Sequence, residues 1–127
     1  MRRTISNIAF ATIAGLIITM PAYAIDFKTH IKSIDGSDIP ISATDQSPLT
    51  LGKVCEDALI ANTLPGDQPN ADEKTKRFML VLKVHANKDP LTAEEVTMIK
   101  KVVGMAYGPL VVGRVAELLD PASISTK

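Results

Sequence analysis

The stretch Leu91 to Leu119, LTAEEVTMIKKVVGMAYGPLVVGRVAELL, limits most sharply what this chain can fold into, because it reads as two amphipathic helices broken at Gly108-Pro109. Thr92 can cap the first helix with its hydroxyl while Glu95, three residues on, reaches back to the amide of Thr92, and Leu91 is placed to staple onto Val96. Val96, Ile99, Val103 and Ala106 then recur at three- and four-residue spacing. Leu110, Val111, Val115, Leu118 and Leu119 continue that spacing after the break. Helices this short do not hold in water by propensity alone. They need each other and a third element, which the rest of the chain must supply.

Two further helices are expected upstream. Thr50 opens one in which Leu51, Val54, Cys55, Ala58 and Leu59 share a face, ending near Asn62. Asn70, with Glu73 three residues later, opens the other in a capping-box arrangement. Its run Phe78 to Val84 is apolar almost all round, the pattern of a central helix, and it is expected to be the partner of the helical pair. Asn87 can take the left-handed conformation that ends it, and Asp120-Pro121 ends the last helix. Before the helices, Ile25, Phe27, Thr29 and Ile31 alternate with polar residues as in a half-buried strand, Asp35-Gly36 offers a turn, and Ile39 and Ile41 flank Pro40 in a possible edge strand. The fold class is therefore mostly α, a small bundle of about four helices preceded by a short N-terminal β-hairpin. The organisation read from the chain is a leader over 1–24, hairpin and linker over 25–48, a helical domain over 49–120 and a flexible tail over 121–127.

The leader has the three parts of a Sec-type signal peptide. Arg2 and Arg3 are basic, Ile8 to Ile18 is an uncharged apolar run, and Ala22 and Ala24 form the small-x-small site that would leave Ile25 as the mature N-terminus. The apolar run is well short of the roughly 20 residues that span a bilayer. The chain is thus expected to be periplasmic or secreted, with no membrane association after cleavage. Of 14 basic side chains, removing Arg2 and Arg3 leaves 12 against 14 acidic ones. That balance argues against a nucleic-acid partner, which needs a concentrated positive surface.

Candidate chemistry is sparse. Cys55 is a possible free thiol, since a single cysteine cannot form an internal bridge. On the apolar face of its helix it reads first as a small core residue. His30 and His85 are the only histidines and lie in different elements, with no HxxxH, HxxE or CxxC spacing to make a metal site. Asp35-Gly36-Ser37-Asp38 lacks the glutamate at the twelfth position that a helix-loop-helix calcium loop requires, Gln46 standing there instead. No nucleophile elbow, phosphate loop or dinucleotide fingerprint is present. The helix after Pro109 carries only Arg114 as a base, too few polar groups for a recognition helix. No catalytic residue, no cofactor and no metal are expected. Lys74, Lys76, Arg77, Lys83, Lys88, Lys100 and Lys101 read as a solvated basic strip, and the high apolar count from Phe78 to Leu119 predicts a patch buried against a protein partner or a second copy.

Leu49-Thr50-Leu51-Gly52, Glu73-Lys74 with Arg77, Leu91-Thr92-Ala93-Glu94-Glu95, Ile99-Lys100 and Pro109-Leu110-Val111-Val112-Gly113 follow one another in an order that resembles small uncharacterised proteins of tailed-phage and prophage gene clusters. The resemblance spans most of residues 26–119. It implies no activity and no site residue. Those proteins look cytosolic, so the leader gives two expectations: an exported interaction protein without catalysis, or a cytoplasmic phage-type assembly or regulatory factor whose translation starts near Met20.

Overall fold

The computed structural model describes residues 25–124, so the leader, with Ala22 and Ala24 of the expected cleavage site, lies outside the described residues. Within them the protein is mostly helical, with four α-helices: α1 (Leu51–Ile60), α2 (Ala71–Ala86), α3 (Ala93–Ala106) and α4 (Pro109–Leu119). A 3-10 turn over Pro121–Ser123 follows, where a flexible tail was expected to begin. The helix ends obey local chemistry. Thr50 Oγ1 accepts from the Lys53 amide, Asn70 Oδ1 from the Glu73 amide and Thr92 Oγ1 from the Glu95 amide, each satisfying a donor that the helix itself cannot. The box at Thr92 is complete, because Glu95 Oε1 accepts from the Thr92 amide at 2.9 Å. At Asn70 it is not: Glu73 turns instead to Arg77 and Lys101. Asn87 closes α2 at φ 53°, in the left-handed region.

The centre of the bundle is α1, not α2. The short α1 packs against both α2 and α3, while α4 packs on α3. Six of its residues, Leu51, Gly52, Val54, Cys55, Ala58 and Leu59, are buried. The expectation that the apolar run of α2 is central is overturned by its exposures. Leu80 and Val84 turn into the core at 3% and 1%, whereas Phe78, Met79 and Leu82 stand 56%, 58% and 49% exposed. A helix apolar on two faces can bury one of them in a small bundle and leave the other in solvent.

Residues 25–50 share that core: Phe27, Ile31 and Leu49 are buried with the helical side chains, and Ile25 packs at the edge. No strand is formed among the described residues, and pairing consists of single antiparallel bridges, His30 with Thr50, Lys32 with Asp38 and Pro40 with Pro48. Three backbone bonds close a ring through three passes of the chain. The Ile31 amide donates to the Leu49 carbonyl (2.8 Å), Leu49 to Ile39 (2.7 Å) and Ile39 to Ile31 (3.3 Å). Gly36, at φ 88°, makes the turn between the first two passes, with Asp35 Oδ1 accepting from Ser37. Arg114 on α4 then donates to the carbonyls of Lys32 (3.0 Å) and Ser33 (2.9 Å), and the Phe27 amide donates to Asn87 Oδ1 (3.0 Å). The N-terminal segment is therefore tied to α1, α2 and α4 at once.

The N-terminal segment comes up hard against α1 at Gly52. Its amide donates to the Phe27 carbonyl at 2.8 Å, and a Cβ built there would meet that oxygen at 3.0 Å and Phe27 Cβ at 3.3 Å. Phe27 cannot retreat while its own amide is held by Asn87. The clash opposes the helix propensity that alanine would add, so Gly52→Ala is expected to lower stability by about 1 kcal/mol net. Urea unfolding followed by circular dichroism measures it, and an unchanged or raised midpoint would show that the Phe27 segment gives way freely.

Candidate functional site

The outward face of α2 carries the largest set of exposed apolar side chains on any described element. Helical spacing splits α2 into two stripes: Arg77, Leu80 and Val84 inward, and Thr75, Phe78, Met79, Leu82 and Ala86 outward. Beside the outward stripe runs a groove of about 660 Å³ between α2 and α3, lined by Met79, Leu80, Leu82 and Met98. Lys76 and Lys83 form its α2 edge, and Asp89, Glu94 and Glu95 its opposite edge. Two ion pairs cross between the helices: Lys83 Nζ to Glu95 Oε1 at 2.7 Å and Lys101 Nζ to Glu73 Oε2 at 3.3 Å. They pair the end of α2 with the start of α3 and the reverse, so the two helices run antiparallel. Glu95 also holds the cap of α3. Burial would raise its pKa, but Lys83 and the Thr92 amide together bring it below the usual glutamate value. Flexible methionine side chains on both walls let such a groove fit an apolar ridge of varied shape.

Arg77 holds the base of α2 from behind. It is the one buried charged residue among those described, 3% exposed, and donates to Asp67 through both terminal nitrogens at 2.7 and 2.9 Å while also meeting Glu73. Its Nε is buried without a protein partner, a cost set against the two-pronged carboxylate pairing. The bond pins the 61–70 loop to α2. This corrects the expectation of a solvated basic strip at Arg77. Lys83, Lys100 and Lys101 pair with Glu95, Asp120 and Glu73 but stay partly or largely in solvent, as that reading expects.

The residues singled out in the sequence do not converge. Cys55 is a free cysteine with no exposed surface, and burial, helped by Glu56, pushes its thiol up to about 12, far from a reactive thiolate. His30 lies against Asp38 at 3.2 Å, and His85 is solvent-facing, 3.5 Å from Glu56 on the far side of α2. Among the described residues, no group of three or more His, Cys, Asp or Glu side chains is placed to hold a metal ion. No described helix is long and apolar enough to cross a membrane. A second cleft of about 460 Å³ is bordered by Lys28, His30, Lys32 and Arg114, but Asp38 and Glu117 already engage Lys32 and Arg114. Ile25 of the expected cleavage site is the first described residue and is half-buried.

Sequence reasoning missed the groove, although its signal is present. Phe78, Met79 and Leu82 fall at a spacing complementary to Leu80 and Val84, which marks two stripes rather than one all-round apolar surface. It also missed Arg77, whose place on the inward stripe called for an acid across from it. No family model matches the chain, and neither a curated protein sequence nor a solved structure shows significant similarity to it.

The Arg77 guanidinium holds the Asp67 carboxyl below its ordinary value, and Arg77 followed by Lys101 does the same to Glu73. Carboxyls with a lowered pKa in the folded state contribute stability that is complete above the unfolded value and is lost as pH falls through the folded one. The melting temperature of the protein is therefore expected to fall as pH drops from about 5 to about 3, the range that runs down through the ordinary carboxylate values. Asp67→Asn should be less stable at neutral pH and show a shallower acid slope. A variant with the parent's slope would mean that the Arg77 pair contributes nothing to acid sensitivity.

Proposed function

We propose that this chain is an exported, small helical interaction protein that acts by binding another protein surface through the α2–α3 groove, without catalysis of its own. The observation that carries the reading is the outward stripe of α2, with Phe78, Met79 and Leu82 each about half exposed or more beside a groove edged by charge. Large apolar side chains grouped on one face lose favourable burial unless something covers them. In this reading residues 1–24 are the cleaved leader, and the hairpin and linker of residues 25–48 serve as a clasp. The clasp holds the bundle in the form that displays α2, which is why it is bonded to α1, α2 and α4.

The test joins location to contact. A photo-crosslinking amino acid is placed at Met79 or Leu82, or at the control positions Lys53 or Glu117, and the cells are irradiated and fractionated. Expected are adducts at Met79 and Leu82 only, on a periplasmic chain that intact mass shows to begin at Ile25. Adducts no stronger than those at the controls would overturn the binding reading. An uncleaved or Met20-started chain in the cytoplasm would overturn export and favour the cytosolic phage-type factor instead.

A further inference from the structure

Resting on that reading, we infer that the occupant of the α2–α3 groove is a second copy of this chain, rotated by half a turn about an axis parallel to the groove. The charge layout carries the inference. The α2 edge is basic, with Lys76 and Lys83, and the α3 edge is acidic, with Asp89 and Glu94; among the described residues Lys76, Asp89 and Glu94 make no ion pair within the chain. A surface that fits between such edges must present acid to α2 and base to α3, with an apolar strip between them. The chain's own α2–α3 face has that layout.

The symmetry can be followed in detail. A half-turn about an axis along the groove exchanges its two edges and keeps each residue's level along it, so basic meets acidic on both sides. A half-turn about an axis across the groove would set lysines against lysines. Lys83 lies level with the first turn of α3, because it reaches Glu95 within its own chain at 2.7 Å. In the dimer Glu94 of the partner comes to the same level, and each Lys83 sits between two glutamates. The α2 of one copy then runs antiparallel to the α3 of the other, which pairs opposite ends of the helix dipoles. Met79, Leu82 and Met98 of both copies form the strip between them. The 16 residues of α2 give that strip a length of about 24 Å. This is a modest surface beside the roughly 800 Å² per partner of standard interfaces, so a dimer that dissociates on dilution is expected.

Sedimentation velocity of the leader-free chain from about 1 to about 500 µM tests this, a range that covers weak to moderate self-association. Lys83→Glu and Glu94→Lys should each weaken the dimer about tenfold or more, because every edge then sets like charges together. An equimolar mixture of the two variants should restore association, since in the mixed pair each reversed charge faces an opposite one. Circular dichroism establishes that both variants fold. Should Lys83→Glu fail to fold through its loss of Glu95, Met79→Glu, at an exposed position, must abolish the dimer by itself. A chain that is monomeric at every concentration overturns the inference, as does a dimer indifferent to Met79→Glu or a mixture of folded variants that stays apart. A monomer that still crosslinks from Met79 to a protein of different mass would overturn self-association alone and leave the binding reading in place.

Discussion

Everything in this molecule hangs on how the first turn of α1 disposes of its amides. The four amides at the start of a helix have no partner inside it, and each one buried unpaired would cost about 1–3 kcal/mol. Here the three that follow Thr50 are met by groups outside the helix ladder: Leu51 donates to the Thr29 carbonyl, Gly52 to Phe27 and Lys53 to Thr50 Oγ1, after which Val54 opens the ladder on the Thr50 carbonyl. Two of these acceptors belong to a segment more than 20 residues upstream, so capping the helix and docking the N-terminal segment are one event. Glycine at position 52 is what lets the backbone of Phe27 come so near. Once docked, Phe27 and Ile31 complete the wall of side chains against the buried face of α1, and that face is enclosed.

The division between what could be read in the sequence and what could not follows from the range of the interactions. Thr50, Asn70, Thr92, Asn87 and the Gly108-Pro109 break act within four residues, and the four helices lie where these signals put them, to within about two residues. The alternation of Ile25, Phe27, Thr29 and Ile31 identified the buried side chains of that segment, since Phe27 and Ile31 are indeed in the core. It could not reveal that their backbone partners would be helix amides and the carbonyl of Leu49, because those partners are set by tertiary packing. The same limit explains α2. Hydrophobicity along one helix reports how many faces are apolar, not which of them the neighbouring helices will reach.

Enclosing α1 settles the fate of α2. The first helix is only 10 residues long, and with α2, α3 and the N-terminal segment around it no second layer among the described residues covers the far side of α2. Its inward stripe is fixed by Leu80, Val84 and the Arg77–Asp67 pair, which prevents the helix from rolling to hide Phe78, Met79 and Leu82. The exposed stripe is thus a consequence of the same packing that makes the bundle stable. Cys55 belongs to that packing too: it sits inside α1's enclosure, where its value is volume rather than reactivity.

Hydroxyl-radical footprinting of the dilute, monomeric protein, read residue by residue by mass spectrometry, bears most directly on this arrangement. If α1 is the centre and α2 displays its second face, Phe78, Met79 and Leu82 will be modified rapidly while Leu80, Val84 and Ile99 stay near background. Protection of Phe78, Met79 and Leu82 to the level of the core would contradict it, and would make α2 the enclosed helix and the groove no surface at all.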